Sequence, residues 1–137
     1  MEFTPLRGKI IDAIADCPKG TSFNKLADKL KGDLSRMVLS KEIKSMCAKG
    51  FLKISRDPNH KQKKIIAVED DIINVLKRIG GERHDGKIGM RTAFKITLKY
   101  FIEYRKLTKS ISNPFIREYV KYRVLKHLEK VLEGVAE

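Results

Sequence analysis

Lysine and arginine side chains are concentrated in one segment of this 137-residue chain, residues 35–64. The segment holds nine Lys or Arg residues and two acidic ones, so its net charge of +7 is more than half of the chain's +13. Ammonium and guanidinium groups at this density neutralise phosphates, and such clustering is the electrostatic footprint of nucleic-acid binding. An anionic membrane surface ranks second as a partner. Excess lysine that served only solubility would be spread evenly along the chain.

No other set of side chains has the spacing of a reactive site. The three histidines are far apart and stand at no ligand spacing from either cysteine, so no metal or other cofactor is expected. Residues 81–88 have the glycine and lysine spacing of a phosphate-binding P-loop. However, Ile88 replaces the Ser or Thr that would hold magnesium, and no strand precedes the segment. No nucleophile–base–acid set can be assembled, so we do not expect an enzyme.

Amino-acid composition limits the class of protein and the cellular compartment that we expect. A hydrophobic fraction of 42% in 137 residues is enough for a folded core. No apolar run approaches the ~18 residues of a membrane span, and the first residues do not resemble a signal peptide. Two cysteines without a disulfide framework fit a reducing compartment. We therefore expect a cytoplasmic, nucleoid-associated protein with no membrane partner.

Three helices are predicted in the first 49 residues, and the third of them forms the first half of the basic segment. In the third, from about residue 35 to 49, Leu39, Ile43 and Met46 form an apolar stripe at helical spacing. Arg36, Ser40, Lys41 and Lys44 lie off that stripe, on the solvated side. The caps and stops that bound the three helices are, in chain order, Thr4-Pro5, Pro18, Gly20, Thr21-Ser22 and Gly50.

The hydrophobic period then changes. Apolar residues in 51–54 and 65–68 predict two short strands, and the turn formers and cations of 56–64 between them predict a hairpin with a basic tip. Acidic residues 69–71 begin a fourth helix, residues 91–107 form a fifth, and Asn113-Pro114 begins a sixth. The predicted fold class is therefore mainly α with a small β-hairpin, in the order of a winged helix-turn-helix followed by further helices.

Two stretches of sequence resemble a known family. Residues 24–27 (NKLA) and 38–52 (VLSKEIKSMCAKGFL) are similar to the helix-turn-helix core of MarR-type regulators, in which the recognition helix ends in a charged-Gly-hydrophobic step. Residues 56–64 (RDPNHKQKK) are similar to the family's wing, an Asp-Pro-x-Asp-x-Arg pattern. His60 or Asn59 stands at the second acid, and Lys61 or Lys63 stands at the arginine. The resemblance covers roughly residues 5–70.

The resemblance implies how the chain is organised. Residues 1–79 would form a winged-helix DNA-binding region, 80–90 a flexible loop and 91–137 a helical dimerisation region. The third helix would enter the major groove and the hairpin would reach the flanking backbone. The predicted DNA-binding residues are Ser35, Arg36, Ser40, Lys41, Lys44, Arg56, Asn59, His60, Lys61, Lys63 and Lys64. The predicted dimer contacts are Phe94, Leu98, Phe101, Ile116, Val120, Val124, Leu128 and Val131.

These expectations describe a dimeric protein that binds double-stranded DNA in a sequence-specific manner and regulates transcription. Two alternatives stay open. One is an architectural, chromatin-type DNA-binding protein with little sequence preference, favoured by the dominance of Lys over Arg in the wing. The other is an RNA-binding or replication/partition adaptor that uses residues 82–89 or the helical tail. No sequence feature indicates a small-molecule effector. Cys47 is open to two interpretations, an oxidation sensor or a packed thiol, and its apolar neighbours favour the second.

Overall fold

The computed structural model describes residues 1–79 and 87–135, and for residues 60–62 and 79 it describes the backbone only. The elements are, in chain order, α1 (Pro5–Ala15), α2 (Phe23–Lys29), α3 (Arg36–Ala48), β1 (Leu52–Asp57), β2 (His60–Val68), α4 (Asp70–Ile79), α5 (Met90–Ser110) and α6 (Pro114–Glu133). The predicted fold class is confirmed. Most of the predicted loop 80–90, and with it most of the P-loop-like segment, lies outside the described residues.

Side-chain caps set the starts of four helices at the predicted positions. Each capping oxygen accepts a hydrogen bond from a backbone N–H of the first turn, which satisfies a donor that the helix itself leaves unpaired. The pairs are Thr4 with Arg7 (3.2 Å), Ser22 with Lys25 (3.3 Å), Ser35 with Val38 (3.2 Å) and Asn113 with Phe115 (2.9 Å). At the other end of α3, Gly50 adopts a φ of 81°, the left-handed conformation that commonly ends a helix.

The chain divides into two compact units, Met1–Ile73 and Asn74–Glu137. In the first unit, α1 packs against α2 and β2, α2 packs against β2, and α3 packs against β1. The apolar stripe of α3 is buried as predicted. The core of this unit includes Ile10, Ile11, Ile14, Leu26, Leu39, Ile43, Met46, Leu52, Ile66 and Val68. The elements that carry the basic segment therefore share one hydrophobic core.

The hairpin is antiparallel, with Leu52 opposite Val68 and Arg56 opposite Lys64. Its base is joined to the α1–α2 connection, because Thr21 and Ile66 exchange two backbone hydrogen bonds of 2.8 Å. Gly20 makes this approach possible. Its φ of 93° is unfavourable for other residues, and a Cβ there would collide with the Ile65 side chain.

In the second unit, α5 packs against α6. The buried cluster consists of Tyr100, Leu107, Val120, Val124 and Leu128. The Tyr100 and His127 rings stack with their centroids 5.6 Å apart. Ile88 donates a backbone hydrogen bond of 2.7 Å to Gly134, which ties the start of α5 to the end of α6. No helix within the described ranges is long and apolar enough to cross a membrane.

Candidate nucleic-acid interface

The outward face of α3 lies opposite its buried stripe. Successive residues of an α-helix are rotated by about 100°, so Met37, Lys41, Lys44 and Ala48 fall in line on the side away from the core. All four are exposed, whereas Ser40 lies at the margin and is half-buried. The predicted solvated side of α3 is therefore present, and Lys41 and Lys44 occupy its centre.

The electrostatics of this face depend on a residue from another helix. Glu42 is the single acidic residue of α3. Its carboxylate accepts hydrogen bonds from Arg7 of α1, at 2.7 Å from Nε and 3.4 Å from Nη2. The two side chains are only 22% and 21% exposed. Arg7 also donates to the backbone carbonyl of Glu2. The negative charge of α3 is thus neutralised on its flank, and the outward face keeps only positive charge.

The start of α3 holds two predicted DNA-binding residues in defined conformations. The Ser35 hydroxyl is the N-cap acceptor of the helix. The Arg36 guanidinium donates a hydrogen bond of 2.6 Å to the Asn24 side chain of α2. It also lies 5.1 Å from the centroid of the Phe23 ring, a cation–π distance. Arg36 is therefore exposed but held toward α2, rather than extended along the outward face.

The hairpin places two cations directly opposite each other. Arg56 and Lys64 are cross-strand partners, and both are exposed. Like charges in this arrangement repel, so an anion between or beside them would relieve an unfavourable interaction. Lys53, nearer the base of the same hairpin, already has an acidic partner, because its ammonium contacts the Asp70 carboxylate at 3.1 Å.

The tip of the hairpin is a short turn closed by Asp57. The Asp57 carboxylate accepts a hydrogen bond of 2.9 Å from the backbone N–H of Asn59, and the register shifts between Arg56 and Asp57. Asn59 and Lys63 are exposed. His60 and Lys61 belong to the backbone of β2, and their side chains lie outside the described part of the chain. The Asp57 carboxylate is therefore engaged by the backbone of its own turn.

The structure brings the predicted DNA-binding residues onto one unit, on α3 and the adjoining hairpin. No described carboxylate lies within salt-bridge distance of the α3 cations Lys41 and Lys44 or of the hairpin cations Arg56, Lys63 and Lys64. These five groups are available to bind an external polyanion.

Sequence reasoning missed three residues here. Arg7 and Asn24 position site residues from other helices, and no local spacing reveals such long-range pairs. Met37 is the third. Its side chain is 71% exposed, although methionine is usually buried. The helical register contained this signal, because Met37 precedes Lys41 by four residues and lies opposite the buried stripe.

The predicted dimer contacts separate into two groups. Val120, Val124 and Leu128 are buried in the core of the second unit, so their side chains have partners within the chain. Ile116 packs beside that core, and Val131 is half-buried. Phe94, Leu98 and Phe101 on α5 are 69%, 52% and 52% exposed. Ile102, which was not among the predicted residues, extends the same exposed stripe.

Cys47 lies half-buried on α3. Burial raises the pKa of its thiol, and the negative charge of Glu69 raises it further. A raised pKa lowers the thiolate fraction at neutral pH, and the thiolate is the reactive form. This environment favours the packed thiol over the oxidation sensor. Within the described residues, no cluster of three His, Cys, Asp or Glu side chains is arranged to hold a metal.

No family model matches the sequence, and no curated protein is significantly similar to it. Several solved structures are similar to this chain. A point mutant of ZitR from Lactococcus lactis is 20% identical, with a TM-score of 0.49 over 97% of this chain and 75% of that one. A point mutant of MepR from S. aureus is 15% identical, with a TM-score of 0.49 over 94% of this chain and 80% of that one.

A third similar structure is the PcaV transcriptional regulator from Streptomyces coelicolor in complex with its natural ligand. It is 12% identical, with a TM-score of 0.45 over 94% of this chain and 75% of that one. These neighbours are MarR-family winged-helix regulators, the group that the sequence resembles. Identities and TM-scores at this level assign no function, which must be inferred from the geometry of α3 and the hairpin.

Proposed function

We propose that this protein binds double-stranded DNA as a homodimer and regulates transcription on the nucleoid. The observation that carries the proposal is the outward face of α3. Lys41 and Lys44 are exposed there without carboxylate partners among the described residues, while Glu42 is neutralised by Arg7. A helix with side chains is about 10–12 Å across, and the major groove of B-DNA, about 12 Å wide, accepts it.

The two cationic elements have different tasks in this proposal. The first turn of α3 meets base edges, as recognition helices do, while Lys41 and Lys44 contact phosphates that fix its position. The hairpin adds phosphate contacts through Arg56 and Lys64, whose mutual repulsion an intervening phosphate would relieve. Lysine and arginine differ here, because lysine neutralises a phosphate without the planar fork that reads guanine.

The proposed region of DNA binding is 1–79, and the proposed dimerisation region is 91–137. The exposed α5 stripe of Phe94, Leu98, Phe101 and Ile102 supports dimerisation, because clustered apolar surface of this kind marks an interaction site. A two-fold dimer would present two copies of α3 to half-sites about 34 Å apart, one turn of the duplex.

A second candidate is an architectural DNA-binding protein with little sequence preference. The observation that favours it is the lysine content of the outward α3 face, together with the engagement of Arg36 by Asn24. Selection of bound duplexes from a random pool separates the two. A regulator prefers its selected duplex over random DNA by at least ~10³, whereas an architectural protein shows little preference.

Duplex binding itself is tested by titrating the full chain with a labelled duplex at several salt concentrations. The K41Q/K44Q variant should bind about tenfold more weakly. Its plot of log affinity against log salt should be shallower by about 3.6 for the dimer, since the two copies together lose four phosphate contacts and each contributes about 0.9. The K121Q/K130Q variant makes the same change in charge at exposed α6 residues and serves as the control. Equal behaviour of the two variants would overturn the α3 assignment.

A further inference from the structure

We infer that Met37 reads the C5-methyl group of a thymine, and is a specificity-determining residue of α3. The inference rests on the proposed function, because it requires α3 to lie in the major groove. It adds the identity of a base contact. The recognised ligand would be a duplex that places an A·T pair beneath the first turn of α3.

The exposure of Met37 is the first observation. It is the most exposed large apolar side chain among the described residues, at 71%. Its position on α3 is opposite Leu39, Ile43 and Met46, so the fold of the unit makes no use of it. A thioether side chain on the solvated face of a helix is unfavourable in water, and a partner that buries it would recover that free energy.

The direction of Met37 is the second observation. It stands in line with Lys41, one turn before it, on the face that the proposed function turns toward DNA. Arg36 precedes it by one residue but is rotated by about 100° and is held by Asn24 and the Phe23 ring. Of the two side chains that begin α3, Met37 therefore has the more direct path to a base edge.

The chemistry of the major groove selects the partner. The edges of the four bases present hydrogen-bond donors and acceptors there, and thymine alone adds a methyl group. Methionine has no donor and is only a weak acceptor, but its flexible, polarisable side chain fits irregular apolar surfaces. Contact between Met37 and the thymine methyl group thus buries apolar surface on both partners. Against a guanine or cytosine edge, Met37 would instead leave the polar groups of the base without hydrogen-bond partners.

The test uses the full chain and the duplex that it enriches most from a random pool. Each thymidine of that duplex is replaced in turn by deoxyuridine, which removes only the methyl group. We expect one position, repeated in each half-site, at which wild-type affinity falls about fourfold, the effect of one buried methyl-sized group. M37A should bind the original duplex about 16-fold more weakly, because both copies of α3 lose the contact, and should be indifferent to deoxyuridine at that position. Alanine favours helix, so α3 should be preserved.

M90A is the matched control, because Met90 is 70% exposed on α5. It should keep the wild-type response to deoxyuridine. Absence of duplex binding would overturn the proposed function and this inference together. Two outcomes would overturn this inference alone. In the first, the protein binds duplex DNA but enriches no sequence. In the second, M37A and wild type respond alike to every deoxyuridine replacement in the enriched duplex. A loss of dimer in M37A would also overturn it, since Met37 would then be covered by a second copy.

Discussion

The outward face of α3 and the outward face of α5 differ in chemistry although both helices are amphipathic. Each buries one stripe, Leu39, Ile43 and Met46 on α3 and Ala93, Tyr100 and Leu107 on α5. The exposed side of α3 carries lysines and two apolar side chains, Met37 and Val38. The exposed side of α5 carries an apolar stripe, Phe94, Leu98, Phe101 and Ile102.

This difference separates the two interactions that we propose. A cationic face binds a polyanion, and salt weakens that binding through counterion release. An apolar face binds by burying area and responds little to salt. Changes on α3 should therefore alter duplex affinity with the dimer intact, and changes on α5 should alter the dimer first.

The largest effect is expected on α5. The variant L98E/F101E places charge in a surface whose large side chains each contribute about 1.5–3 kcal/mol when fully buried. The dimer dissociation constant, measured by sedimentation equilibrium, should rise by at least ~100-fold. K99E/K106E changes exposed α5 residues that lie to one side of the apolar stripe and should leave the dimer nearly unchanged. A wild-type chain that is monomeric at micromolar concentration would contradict the proposed role of α5.

The next effect concerns the support of the hairpin. G20A should lower the free energy of unfolding by about 2 kcal/mol, because alanine disfavours a φ of 93° and its Cβ would collide with Ile65. Chemical denaturation measures the change. G32A is the matched control, since Gly32 has no heavy atom within 4 Å of an added Cβ and no positive φ. Equal stability of G20A and wild type would show that the Thr21–Ile66 bridge does not need this backbone.

Much of the fold could be predicted because its signals are local. Thr4, Ser22, Ser35 and Asn113 each lie next to the helix that they cap, and the apolar stripe of α3 needs only the helical period. The turn residues between two short apolar runs likewise predicted the hairpin. Such features depend on a few neighbouring residues, so one sequence is enough to identify them.

The candidate site was less predictable because its details depend on distant residues. Arg7 and Glu42 are 35 positions apart, and Arg36 meets a side chain 12 positions before it. Both pairs form only once the helices pack. The dimer prediction illustrates the same limit, since the period of α6 cannot distinguish Val120, buried within its own unit, from a residue that contacts a second copy.

The hairpin gives the third prediction. R56Q/K64Q should weaken duplex binding at least about tenfold and lower the salt slope of the dimer by about 3.6, with equal losses on selected and random duplexes because phosphates carry no sequence information. The same variant should be slightly more stable in the absence of DNA, by up to ~1 kcal/mol, since cross-strand repulsion is removed. K53Q is the control within the hairpin, because Lys53 already contacts Asp70. A loss confined to the selected duplex would instead assign Arg56 or Lys64 to base readout.

The smallest effect is expected at the Arg7–Glu42 ion pair, which keeps the outward face of α3 positive. R7Q should weaken duplex binding about threefold, because it leaves the Glu42 carboxylate uncompensated beside a surface that meets phosphates. The variant R7Q/E42Q should recover the wild-type affinity, since the same carboxylate is then removed. Unfolding measurements on both variants check the fold, because the Arg7 and Glu42 side chains are only 22% and 21% exposed. If R7Q/E42Q bound as weakly as R7Q, Arg7 would act on DNA directly, and the charge of α3 would not depend on its neighbour.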